Sequence, residues 1–196
     1  IILDDKEKGI TEIGVPMGII AALIPSTNPT SSTIYKIMIA LKAGNAVIVS
    51  PHPNAKDCII KTAEYLIKAA ERKGAPKGLI GVIKTPTLQA TQELMKHKKT
   101  SLILATGGEA MVKAAYSSGT PAIGVGPGNG PAFIERSADI RKAVKRIIDS
   151  KTFDNGVICA SEQSIVTEEV IKNQVVDELK RQGAYFLNKD ERNKVG

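Results

Sequence analysis

Five short apolar runs, separated by stretches with helical periodicity, limit what this chain can fold into. They are Gly18–Ile24, Ala46–Val49, Leu79–Ile83, Ser101–Ala105 and Pro121–Val125. In Gly18–Ile24 the apolar character is continuous rather than alternating, which marks a strand buried on both faces, and Ala46–Val49 reads as the next buried strand. Helices are expected between them, from the Thr30-Ser31-Ser32 caps towards Leu41, and over Ala55–Lys73, Leu88–Lys96 and Glu109–Ser117. Gly74-Ala75-Pro76 closes the second helix in the usual Gly-then-Pro order. Strands alternating with helices give an α/β fold, a parallel sheet with helices on both faces. Residues 1 to 13 read as a strand, a charged turn and the entry to a second strand. The glycine-rich run Gly124 to Gly130 reads as a hinge into a second α/β unit starting near Pro131.

The second unit contains the stretch with the most chemistry. An amphipathic run from Ala138 to Lys151 leads into Thr152-Phe153-Asp154-Asn155-Gly156-Val157-Ile158-Cys159-Ala160-Ser161-Glu162-Gln163, and the β-rich Ser164–Thr167 follows. Asp154-Asn155-Gly156 is turn chemistry, because Asn and Gly tolerate the positive φ that ends a helix. A cysteine just past such a turn sits where backbone amides can be aimed at a reacting atom. Exposed there, it is a candidate nucleophile. The competing reading is a small buried apolar side chain.

Charge and cysteine content remove several classes. The net charge of +7 comes from Lys and Arg spread over the helical patterns, often beside acids. The one dense run, Lys96-His97-Lys98-Lys99, has no aromatic interleaving, so solvated helix faces and anionic small molecules explain the charge better than nucleic acid does. No apolar run reaches the length of a membrane helix, and the start of the chain does not read as a signal peptide. Cys58 and Cys159 have neither disulfide-framework nor metal-type spacing, so no metal is expected and a reducing cytoplasm fits.

Junctions at the carboxyl edge of such a sheet are where nucleotides bind. Thr106-Gly107-Gly108 is the best candidate, since its glycines let backbone approach a pyrophosphate and the following helix offers free N–H groups. An ordinary turn capped by threonine is the equal alternative. Asn28 precedes a proline, and from the residues alone it reads first as a turn residue. His52 in the Ser50–Asn54 loop reads as a solvated side chain, and Cys58 as structural.

The segment FDNGVICASEQ closely resembles the nucleophile segment of the CoA-acylating aldehyde dehydrogenases. That group covers the acetaldehyde, propionaldehyde and succinate-semialdehyde enzymes and the aldehyde dehydrogenase half of bifunctional aldehyde–alcohol dehydrogenases. PSTNPTSS, SPHPNA, LILATGG and AIGVGPGNGPAFI continue the resemblance through nearly the whole chain, in the family's order. It implies an aldehyde dehydrogenase-like fold: a Rossmann-like nucleotide-binding domain at 1–130 and the beginning of a catalytic domain at 131–196. It also implies that the chain starts after the family's N-terminal segment and stops partway into the catalytic domain.

The resemblance assigns roles. Cys159 becomes the nucleophile, and Asn28 joins the Cys159 backbone N–H as an oxyanion hole. Ser50, His52, Thr106, Gly107 and Gly108 fall at the cofactor. The implied cofactor is NAD, with NADP also admitted, and coenzyme A is the co-substrate. The implied partners are a small aldehyde and CoA, in a homo-oligomer of the cytoplasm or of a bacterial microcompartment, without nucleic acid or membrane.

Two departures matter. Hydrolytic relatives carry a lysine and a glutamate where this chain has Ser50 and Pro53, which removes the acid that would repel a 2′-phosphate. They also carry a glutamate as general base for water where the alignment places Val125. The remaining alternatives are a hydrolytic aldehyde dehydrogenase or acyl-phosphate reductase of the same fold, and a non-catalytic nucleotide-binding or assembly module.

Overall fold

The computed structural model describes residues 2–195, which form two compact units, the first ending at Pro127 and the second beginning at Gly128. The first unit opens with an antiparallel hairpin of β1 (Leu3–Asp5) and β2 (Ile10–Glu12). The Asp5 carboxylate accepts from the backbone N–H groups of Glu7 and Lys8, closing the charged turn. Then come β3 (Ile19–Ile24), α1 (Pro29–Lys42), β4 (Ala46–Pro51), α2 (Lys56–Arg72), β5 (Ile80–Val82), α3 (Leu88–Lys96), β6 (Thr100–Thr106), α4 (Glu109–Tyr116) and β7 (Ala122–Val125). The last five strands lie side by side in the order β5-β4-β3-β6-β7, every pair parallel.

All five expected strands are therefore present, and their carboxyl ends share one edge. The continuous apolar runs have the expected cause. Along β3, Ile20, Ala22 and Ile24 pack with Ile37, Ala40, Ile59 and Ala63 of α1 and α2 on one face. Ala21 and Leu23 pack with Met95, Ile103 and Ala115 on the other. Truncating a side chain as deeply buried as Ile20 costs about 2–5 kcal/mol. Asn45 ties the entry of β3 into this core, its Oδ1 accepting from the N–H groups of Met17 and Gly18.

Two local expectations change. Helix α1 starts at Pro29 with Asn28 at the cap position, not at Thr30-Ser31-Ser32. Proline at the first helical position has a preset φ and lacks an N–H that would go unpaired anyway. Cys58 lies in a helix as expected, exposed in the first turn of α2, its Sγ sharing a hydrogen bond with Thr30 Oγ1 at 3.2 Å. The glycine-rich segment is not a hinge throughout, since Gly130 already begins a strand.

That strand, β8 (Gly130–Ile134), pairs in parallel with β9 (Glu162–Thr167), and α5 (Ile140–Thr152) crosses between them. Asp139 caps α5, its carboxylate accepting from Lys142 N–H. Helices α6 (Lys172–Arg181) and α7 (Lys189–Val195) follow. The core of this unit is Ile134, Val144, Ile171 and Val175, with Ile147, Ile148 and Ile165 packed on it. Beyond the paired strands, Arg136 donates its backbone N–H and guanidinium to Glu168, which holds that carboxyl below its usual range. Among the described residues no helix is long and apolar enough to cross a membrane.

Candidate active site

Cys159 is exposed, on the loop between α5 and β9. Three consecutive left-handed residues turn the chain out of α5: Asp154 (φ 49°), Asn155 (φ 53°) and Gly156 (φ 72°). The first two are the only non-glycine residues with positive φ among those described. Each costs about 1–2 kcal/mol against right-handed backbone, least for Asn and Asp. Strain kept beside a nucleophile candidate points to a function for the loop's shape.

The loop is then held at three points. Val157 N–H donates to Asp154 O at 3.1 Å. The carbonyl of Ile158 accepts from both the backbone N–H (3.1 Å) and the hydroxyl (2.6 Å) of buried Ser161, so Cys159 and Ala160 form the crest of a tight turn. Gly128 presses against the far side, where a Cβ would lie 1.8 Å from the Cys159 carbonyl oxygen. The amides of Cys159 and Ala160 bond to no described residue. The turn thus presents a thiol together with free N–H donors, which is what capture of a carbonyl and its developing oxyanion requires. Exposure removes the buried-apolar reading of this cysteine.

Beyond the crest, Glu162 and Gln163 open β9. Glu162 accepts from Ser150 Oγ at 3.1 Å, and Gln163 donates to Ser161 O at 3.4 Å. Both brace the loop against its neighbours.

The remaining candidates belong to the first unit and gather at the carboxyl edge of its sheet. Asn28 follows β3 and is exposed; its Oδ1 accepts from Thr27 Oγ1, while its carbonyl, not its side chain, serves the helix by accepting from Ser32 N–H. The Asn28 amide NH₂ donates to no described residue and keeps its donors for another acceptor. His52 is half-buried after β4. Its backbone N–H donates to Ile24 O, and its Nδ1 accepts from Asn54 N–H at 3.2 Å, which leaves Nε2 as the donor. Thr106 ends β6. Gly107 N–H donates to Val125 O at 3.1 Å, and Gly108 stands at the cap of α4, where an added Cβ would meet nothing within 4 Å. The start of α4 therefore offers open backbone of the kind that suits a phosphate.

Ser50 is placed differently from a cofactor contact. Its side chain is only 3 % exposed, and its hydroxyl is paired at 2.9 Å with Thr91 Oγ1 of α3. The last residues of β4 still alternate between the sheet faces, and position 50 points inward.

Two residues escaped the sequence reading. Gly128 stood within a glycine-rich run whose members look alike until the partner chain segment is known. Lys36 is a core residue, 4 % exposed, with Nζ donating to Leu23 O (2.7 Å) and Leu104 O (2.8 Å). Burial pulls its pKa down to about 7. A signal existed: Lys36 falls on the helical stripe of Thr33, Ile37 and Ala40, all of them buried.

Comparison with known proteins bears on the family and the fold. An aldehyde-alcohol dehydrogenase of Clostridium acetobutylicum is 52% identical over 195 residues, covering 100% of this chain and 22% of its own length. An acetylating aldehyde dehydrogenase of Geobacillus thermoglucosidasius superposes with a TM-score of 0.83 at 62% identity, covering 92% of this chain and 40% of that one. A propionaldehyde dehydrogenase of Rhodopseudomonas palustris, solved with bound CoA and an acylated cysteine, gives a TM-score of 0.82 at 34% identity, over 92% and 41%. The chain thus spans well under half the length of each. Residues 2–193 match the aldehyde dehydrogenase family throughout both units, and the chain belongs to that family.

Proposed function

We propose that the protein containing this chain is a CoA-acylating aldehyde dehydrogenase. The observation that carries the reading is the exposed Cys159 on a strained turn, with its own amide free. Cys159 thiolate adds to the carbonyl carbon of a short-chain aldehyde. Its amide, with the free NH₂ of Asn28, stabilises the resulting oxyanion. A bound nicotinamide dinucleotide supplies the hydride acceptor that converts this adduct to a thioester on Cys159. CoA thiolate then attacks the thioester carbonyl and expels Cys159 thiolate, giving acyl-CoA and the free nucleophile. The same steps run backwards reduce an acyl-CoA.

The residues suit a dinucleotide. Gly107, Gly108 and the first amides of α4 would hold a phosphate next to Thr106, and His52 lies along the same sheet edge beyond β3. NAD is the cofactor in this reading, and the lack of an acid from Ser50 to Pro53 leaves NADP admissible. Val125, half-exposed at the end of β7, stands where the resemblance places the water-activating glutamate of hydrolytic enzymes, and a valine cannot act as base. This favours a thiol over water as acyl acceptor.

Replacing each cysteine in the full-length enzyme tests the assignment. Cys159→Ala should abolish aldehyde oxidation and leave nucleotide affinity within a few-fold. Cys58→Ala should keep turnover near the wild-type rate. Substantial turnover by Cys159→Ala would remove it from the mechanism.

A further inference from the structure

Lys36 is the one buried lysine among the described residues of the first unit, and the mechanism above does not use it. Its two acceptors belong to the neighbouring strands β3 and β6. These strands flank the point where the sheet's order reverses, since β4 and β5 extend it on one side of β3 and β7 extends it beyond β6. Crevices at such points are where α/β sheets take their ligands. Leu23 is the penultimate residue of β3, which runs on through Pro25 to Asn28. Leu104 precedes Ala105 and Thr106, which run on to Gly107 and Gly108. One amine is therefore bonded to the roots of both candidate loops.

A carbon chain of similar length would carry no desolvation penalty at this depth, and replacing buried charge with apolar groups is often neutral or stabilising. An amine at a core position is thus a local rule broken, and such breaks concentrate at functional sites. The partner count suits the neutral form: two carbonyls match the two N–H donors of an uncharged amine, consistent with a pKa near 7 caused by burial.

From this geometry we propose that Lys36 is a positioning residue whose amine clasps Leu23 and Leu104, so that the loops bearing Asn28 and Thr106–Gly108 hold a common register. The proposal rests on the reading of those loops as oxyanion and cofactor groups. Losing the clasp lets the loops shift independently, and a displacement of order 1 Å can lower a rate by about a hundredfold. A residue that merely filled the core would affect stability alone.

The test is Lys36→Met in the full-length enzyme, which keeps the side chain's length and removes its donors. Nucleotide affinity is measured by titration calorimetry, the acylation rate by the NADH burst, and stability by thermal melting. Nucleotide binding should weaken by about tenfold and the burst should slow by about tenfold or more. The melting temperature should stay within a few degrees of wild type. Both constants within twofold of wild type would overturn the proposal, as would a lowered melting temperature with unchanged kinetics. If Lys36→Met is insoluble, Lys36→Gln, with its donors on a shorter arm, decides by the same criteria. A wild-type enzyme lacking both nucleotide binding and a burst would instead sink the functional reading, and this proposal with it.

Discussion

Gly128 lies flat against the backbone of Cys159, so close that a single added methyl would stand 1.8 Å from the Cys159 carbonyl oxygen. Nothing in the backbone angle of Gly128 demands glycine; the demand comes from the approach of the nucleophile turn. The same contact fixes one side of the peptide that follows the thiol, while Ser161 fixes the other through the Ile158 carbonyl.

Gly128→Ala should therefore displace the turn and lower aldehyde oxidation by roughly a hundredfold or more. Gly130→Ala is the control, because a Cβ there meets nothing within 4 Å. Steady-state assays of both variants decide it. A Gly128→Ala enzyme with unchanged kcat would show that the loop does not need this support.

Asn28→Ala removes a free carboxamide donor without removing a helix cap bond, because the cap is made by the backbone carbonyl. Loss of one oxyanion donor costs about 2.7–4 kcal/mol of barrier, so kcat should fall by about a hundredfold or more. Nucleotide affinity should change little. Normal kcat with poor stability would return Asn28 to the role of a turn residue.

Lys36 gives the fold a pH dependence of known sign. The folded chain releases this proton near pH 7, against 10.5 for a free lysine. Between those values the unfolded state binds more protons, so stability rises with pH, by at most about 1.4 kcal/mol per pH unit from this group. Below pH 7 both states are protonated and the gain is absent. Compared with Lys36→Met, the wild-type enzyme should gain in melting temperature between pH 7 and pH 9. Parallel pH profiles for the two would contradict the assignment.

The strands were readable because their cause is local: a run such as Ile19–Ile24 is apolar on both sides because both sides are covered. Asp154-Asn155-Gly156 was readable for the same reason, since its left-handed angles are written in residue type. Ser50 was not. Whether its hydroxyl faces the crevice or Thr91 depends on the register of β4 against α3, which no short window contains. Gly128 and Lys36 were missed for a related reason. A glycine needed for close approach looks like a glycine needed for a turn, and a lysine on a helix is assumed to face water unless its stripe is checked. Asn28 was expected outside the helix and stands at its very start, because Pro29 opens the helix earlier than the hydroxyl residues suggested.

The acyl acceptor is the measurement that bears most directly on the proposed function. With Val125 in place of a base, water should attack the Cys159 thioester slowly, since a general base typically contributes 10²–10⁴-fold. A thiolate needs no such help. Given NAD and aldehyde without CoA, the full-length enzyme should release a burst of about one NADH per active site and then stall, as a trapped thioester requires. Adding CoA should restore steady turnover and yield acyl-CoA. Equal steady-state rates with and without CoA would contradict the account and place the protein among the hydrolytic aldehyde dehydrogenases.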